Sequence, residues 1–187
     1  MTHFADMIEG YRRFRNGGWA EQRERWEQLA EGQSPKVMVI ACSDSRSEPS
    51  QIFDTNPGEI FVVRNVAALV PPFETTPGRH GVSAALEFAV QFLKIEEIVV
   101  MGHGMCGGCH AALHKSMEGA EPGRGGFIAD WIAVLDEASE KVRAEYADGF
   151  GLARAPSMVT TRRACAPNMP ISTTAMRAAR WKWRQYA

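Results

Sequence analysis

Apolar positions along the chain follow two kinds of pattern, and their alternation sets the fold class. Phe4, Met7, Ile8, Tyr11 and Phe14 recur at helical spacing, the Gly17-Gly18 pair interrupts, and Trp19, Trp26 and Leu29 continue on a charged background. Such an arm has little to bury against itself, so it is expected to pack on the rest of the domain or on a partner chain. Short apolar runs rich in β-branched residues then read as buried parallel strands at 36–42, 59–64 and 97–101. Between the last two, Val82, Ala85, Leu86, Ala89, Val90 and Leu93 mark a helix within 80–94. After the third strand, 107–117 can form a helix and 118–126 is a Gly/Pro loop. Phe127, Trp131, Val134, Leu135, Ala138 and Val142 then predict one long amphipathic helix ending near Tyr146. Strands alternating with helices predict an α/β fold, a mostly parallel central β-sheet flanked by helices. The chain divides into a helical arm (1–32), an α/β domain (33–148) and a tail (149–187).

In parallel sheets, chemistry collects at the carboxyl ends of the strands. The first strand ends in Ala41-Cys42-Ser43-Asp44-Ser45-Arg46, and the third in Gly102-His103-Gly104-Met105-Cys106-Gly107-Gly108-Cys109-His110. Cys42 from one end, with His103 and Cys106 from the other, supplies two thiolates and an imidazole for one metal. Three protein ligands with a fourth position open to water is the pattern of catalytic zinc. The neighbouring glycines allow the tight turn that such convergence needs. Two plainer readings stand beside this one. A cysteine at the end of a buried strand is often a small core residue, and Cys106-Gly-Gly-Cys109 is also a redox-type C-x-x-C. Neither accounts for Asp44 and Arg46 at alternate positions after Cys42.

Composition adds one correction to this picture. With 45% hydrophobic residues in 187, the chain can build a core without disulfides. No apolar run is long enough to span a bilayer, and the first ten residues, with Asp6 and Glu9, lack a basic-then-apolar leader, so secretion is not expected. The net charge of −1 hides a split. Through Asp148 there are 22 acidic and 14 basic residues, a balance of −8, whereas the remaining 39 residues hold seven basic and no acidic ones, +7.

Cys42-Ser-Asp44-Ser-Arg46, followed by His103-x-x-Cys106-Gly-Gly and accompanied by the 57–65 segment Pro-Gly-Glu-Ile-Phe-Val-Val-Arg-Asn, resembles the signature of the beta-class carbonic anhydrases. The resemblance runs from about Gln33 to about Tyr146. It implies reversible hydration of carbon dioxide to bicarbonate and a proton. It also implies one zinc per chain on Cys42, His103 and Cys106, with Asp44 and Arg46 as the catalytic dyad. Gln33-Ser34-Pro35-Lys36 is similar to the plant-type branch. There the glutamine position bonds substrate and aromatic residues at the positions of Phe61 and Phe88 line the pocket; in this chain Gln33 and the backbone N–H groups after Cys106, Gly107 first among them, are the expected donors to substrate oxygen. Phe88 stands where plants commonly carry tyrosine. Val39 stands where another branch carries a tryptophan tied to a closed, inactive form, which implies an open site with Asp44 off the metal. Active sites of this class resemble clefts at a dimer interface, so a homodimer or higher homo-oligomer is implied. Thiolate ligands suit a reducing compartment, and a cytoplasmic location is expected. His110 and His114 read as surface or interface residues, and Cys109 as helix packing.

Past Tyr146 the family continues with an apolar helix and a closing strand. Here the tail reads as basic, with Trp181 and Trp183 and no strand alternation, so the usual C-terminal closing strand is expected to be lacking. Basic tails of this kind are commonly solvated, and neither nucleic acid nor membrane is expected as a partner. Two alternatives to carbon dioxide hydration remain at this point: a catalytically silent zinc-binding relative disabled by its ending, and hydrolysis of carbon disulfide or carbonyl sulfide on the same site. The implied ligand charges give a first test. Two thiolates cancel the formal charge of zinc, so water should be acidified less than by three neutral histidines. Hydration activity is expected to rise toward alkaline pH, and a rate profile already flat below neutrality would contradict the ligand set.

Overall fold

A computed structural model describes residues 2–145. The amino-terminal arm comprises α1 (Phe4–Asn16), α2 (Gly18–Glu21) and α3 (Arg23–Glu31), with the break at the expected glycine pair. None of the three buries a residue completely. The arm folds back through Phe14, whose ring meets Trp26 edge-on at 5.8 Å. Phe4, Met7 and Tyr11 remain exposed within the single chain.

Three strands form the sheet: β1 (Val37–Cys42), β2 (Ile60–Asn65) and β3 (Glu97–Met101). The order is β2-β1-β3, and both pairings are parallel. The central strand is buried on both faces, which explains its unbroken apolar run. Val39 and Ala41 face Met101 and, around it, Phe53 and Ile52 of the short helix α4 (Pro49–Ile52), whereas Met38 and Ile40 pack with Leu86 and Ala89 of α5 (Gly81–Gln91). Alternate residues of one strand thus anchor two separate layers.

A third apolar cluster lies beyond the carboxyl end of the sheet. It joins Cys42 to Ala67, Ala68 and Leu69, to Cys106, Cys109, Ala111 and Ala112, and to Ile132 and Leu135. The 3₁₀ turn Val66–Ala68 leaves β2 with Ala67 and Ala68 at φ of 67° and 54°, in the left-handed region. Asn65 holds this turn by donating through Nδ2 to the Leu69 carbonyl at 2.8 Å and accepting the Leu69 N–H at 2.7 Å.

Helix lengths depart from the sequence expectation in two places. The helix expected over 107–117 ends sooner: α6 is Gly107–Leu113. Lys115 takes φ 51°, and Arg143 donates to the Leu113 carbonyl at 2.9 Å, capping the exposed end from a distant helix. The single helix expected over 127–146 is two, α7 (Gly126–Ile132) and α8 (Asp136–Glu145), joined by the 3₁₀ turn Ala133–Leu135. A 3₁₀ turn brings residues three apart into line, and here it keeps Ile132 and Leu135 together in the cluster beneath α6. The tail, and with it the expected lack of a closing strand, lies outside the described residues.

Packing of α6 on the turn after β2 leaves no room at Gly108. A Cβ there would stand 2.8 Å from Val66 Cγ1 and 2.9 Å from Ala67 Cβ. Gly108→Ala is therefore expected to destabilise the protein by about 1–3 kcal/mol through overpacking, measured as a lowered denaturant midpoint. Gly107→Ala, whose Cβ would meet nothing within 4 Å, is the control expected to cost less.

Candidate metal centre

The paired registers of β1 and β3 place Ala41 beside Met101, so the residues that follow each strand emerge side by side. Cys42 is the last residue of β1, His103 follows β3, and Cys106 is the N-cap of α6. Their ligand atoms all lie within 4.8 Å of one another, and all three residues are buried. The two sulfurs are 3.8 Å apart. His103, only 2% exposed, directs Nδ1 to the Gly104 carbonyl at 3.0 Å. That bond makes Nδ1 the protonated nitrogen and leaves the Nε2 lone pair facing inward. Nε2 is buried without a hydrogen-bond partner. A buried polar atom left so costs about 1–3 kcal/mol unless something coordinates it.

The protein environment already favours one thiolate. The Cys109 thiol donates to Cys106, backed by the N–H groups of Cys109 and Gly108, and the Cys106 thiol is pulled down to about 4. The Cys109 thiol, holding its proton against Cys106, is pushed far up. Burial raises the Cys42 thiol. Cys109 is thus more than helix packing, because it supplies a hydrogen bond to a candidate ligand. Its position three residues past the N-cap is the sequence signal that could have revealed this.

Asp44 and Arg46 sit on the 3₁₀ turn Ser45–Ser47 that follows β1. Asp44 Oδ1 accepts from Arg46 N and Nε, both at 2.9 Å, and Oδ2 accepts from Nη2 at 2.7 Å. The Arg46 hydrogen bonds hold the Asp44 carboxyl well below the usual carboxylate range, with His103 adding a smaller effect. Nη2 also donates to the Met105 carbonyl at 3.2 Å, tying the loop of Cys42 to that of Cys106.

Sequence reasoning named Arg64 only within a motif, yet it fixes this loop. Its Nε donates to the Cys42 carbonyl at 2.9 Å, Nη2 donates to the Asp44 carbonyl at 2.7 Å, and Nη1 pairs with Glu48. Ser47 Oγ, fully buried, lies 3.0 Å and 2.9 Å from the same two carbonyls. An arginine closing an otherwise apolar strand was the available signal.

The other substrate-site expectations divide. Gly107 opens α6 immediately after Cys106, where a helix leaves its first N–H groups without intrahelical acceptors. Phe61 pairs with Met38, four residues before Cys42 along β1, which is about 13 Å at strand rise. Phe88 packs on Phe61 with ring centroids 6.0 Å apart. Gln33 lines a cleft with Arg25, Leu29 and Gly58, before β1 begins. One chain therefore brings Cys42, Asp44, Arg46, His103, Cys106 and Gly107 together, and leaves Gln33, Phe61 and Phe88 toward the other end of the sheet.

Residues 37–168 match the carbonic anhydrase family, and the chain belongs to it, within the beta class. The match runs past Tyr146, further than the motifs alone reached. Beta carbonic anhydrase 5, chloroplastic, of Arabidopsis thaliana is 40% identical over 141 residues, covering 75% of this chain and 45% of the relative. The chain spans about half the length of the curated relatives it matches. Among solved structures, the beta-carbonic anhydrase CcaA aligns with a TM-score of 0.72 at 33% identity, covering 81% of this chain and 71% of that one. One of two tetrameric beta-carbonic anhydrases of Sordaria macrospora aligns with a TM-score of 0.60 at 30% identity, covering 78% and 66%.

The shared acceptors of Arg64 and Ser47 define a coupled pair. Arg64→Ala and Ser47→Ala are each expected to cost about 1–2 kcal/mol, because the other side chain still offers a donor to this pair of carbonyls. The double variant should lose more than the sum, since both carbonyls then lose both side-chain donors. Urea unfolding of the four proteins measures the cycle, and strict additivity would show that the two donors act independently.

Proposed function

We propose that this chain catalyses the reversible hydration of carbon dioxide to bicarbonate and a proton, with one zinc held by Cys42, His103 and Cys106. The observation that carries this reading is the buried, unpartnered Nε2 of His103 facing two cysteine sulfurs. The donor set fits zinc. Sulfurs about 2.3 Å from a tetrahedral ion stand about 3.8 Å apart, and the two sulfurs here are 3.8 Å apart. When bound, zinc supplies a Lewis acid that makes water a competent nucleophile near neutral pH.

The protein's own residues prepare the rest. Asp44, kept ionised by Arg46, offers a carboxylate oxygen with spare acceptor capacity to a proton of the attacking water, which aims the water's lone pair at the carbon of substrate. Arg46 fixes that carboxylate through two parallel hydrogen bonds, so the acceptor is oriented before substrate arrives. The Gly107 N–H is a donor for a substrate oxygen as negative charge develops on it. Cys109 draws charge from Cys106 through its hydrogen bond, which keeps the sulfur from donating its full charge.

Carbon dioxide is linear and apolar, and an aromatic wall suits it. Phe61, Phe88 and Gln33 would line such a wall from a second copy of the chain, since within one chain they lie toward the opposite end of the sheet. The exposed apolar residues of α1 support a homodimer or higher homo-oligomer as the working form. The tetrameric relative of Sordaria macrospora supports the same reading.

Zinc analysis with stopped-flow carbon dioxide hydration tests the proposal on three proteins. The parent is expected to hold one zinc per chain and to hydrate carbon dioxide. Cys42→Ser is expected to lose both metal and activity. Arg46→Lys, which keeps charge but loses the two-point hold on Asp44, should retain zinc and lose about 10²-fold in rate. A parent that carries zinc but does not hydrate carbon dioxide would overturn the reading.

A further inference from the structure

The geometry points to a second metal site, on the outer face of α6, formed by His110 and His114 and suited to a divalent transition ion that prefers imidazole. The two residues are four apart, and the His114 N–H donates to the His110 carbonyl at 3.0 Å, so the helical turn between them is intact. Histidines at this spacing share one helix face and can take one ion between them. Their ring centroids are 4.2 Å apart with planes tilted by 37°.

The pair faces solvent. His110 and His114 are exposed, whereas Cys109, Ala111, Ala112 and Leu113 of the same helix are buried. Packing on that inner face and the Arg143 bond to the Leu113 carbonyl hold the helix in place, so both imidazoles project from a fixed backbone. Ring rotation about the side-chain torsions is then the only ordering step that ion capture requires.

Ligand chemistry selects the ion. Two imidazoles favour nickel, copper or zinc over calcium or magnesium, which demand oxygen ligands. Among the described residues, Cys42, His103 and Cys106 form the only group of three or more candidate ligands, so water completes the coordination at the histidine pair. The helix rise puts the pair about 9 Å along the axis from Cys106, at the opposite end of the same short helix. This site is independent of the buried centre and of the reaction proposed for it.

The chain has five histidines, which makes the assignment tractable. His103 belongs to the buried centre, His80 bonds the Thr76 carbonyl, and His3, exposed ahead of α1, is removed so that it cannot contribute a ligand. The test is calorimetric titration of the untagged, zinc-loaded His3→Ala protein, its buried centre filled beforehand, with nickel(II) and, separately, calcium(II). Nickel is expected to bind and calcium not to bind. His110→Ala and His114→Ala, each made in that background, should weaken nickel binding by about tenfold or more, and the double variant should bind no better than either. His80→Ala should leave the affinity unchanged, and circular dichroism of every variant should match the parent. Absence of nickel binding in the parent, survival of it in the double variant, or dependence on only one of the two histidines would overturn the site.

Discussion

Two sulfurs and an imidazole nitrogen, drawn together in an apolar cluster, make an arrangement that a cation between them would stabilise. His103 Nε2 has no hydrogen bond, whereas the Cys109 thiol and the N–H groups of Cys109 and Gly108 pull the Cys106 thiol down. Burial of the unpartnered nitrogen costs free energy that coordination would return. The rest of the architecture can be understood as the means of holding this unfavourable arrangement ready. Parallel pairing of β1 with β3 aligns the strand ends, the Val66–Ala68 turn supplies an apolar floor, and α6 begins at Cys106 itself.

Rigidity of the loop after β1 follows from the same constraint. Cys42 and Asp44 are two residues apart, and on the proposed reading both must keep their direction while a cation pulls on one of them. The strand ladder ends at this point; the Asp44 carbonyl accepts the Ser47 N–H, and side chains supply further donors to it and to the Cys42 carbonyl. Arg64 and Ser47 provide them, and Arg46 then bonds the Asp44 carboxylate and the Met105 carbonyl. A chain of hydrogen bonds therefore links the loop of Cys42 to the loop of Cys106 without passing through the candidate ligands.

Much of this was legible in the sequence, and the reason is local. Unbroken apolar runs identify strands buried on both faces, and parallel strands bring their carboxyl ends together whatever lies between them. Cys42, His103 and Cys106 could thus be grouped from their positions at strand ends alone. What escaped depends on distant contacts. The early end of α6 requires Arg143 from α8, and the break between α7 and α8 follows from packing of Ile132 and Leu135 beneath α6. An arginine in an apolar strand marks Arg64 as unusual, but the carbonyls it anchors come within reach only when the strands pair. Cys109 reads as packing because the three-ligand set is complete without it, and its hydrogen bond to Cys106 emerges only in the folded helix.

Strand geometry also limits what one chain can do. Residues at opposite ends of a parallel strand cannot converge, because neither the strand nor its neighbours bend back within their own length. Phe61 lies on β2 beside the start of β1, and Phe88 packs on it, while Cys42 closes β1. An apolar wall built from these rings must therefore serve some surface other than the metal end of its own sheet. The arm exposes Phe4, Met7 and Tyr11 along one helix, an apolar stripe that water covers poorly. On the proposed reading, completeness of the site and burial of the arm are then consequences of one association, and neither needs a separate cause.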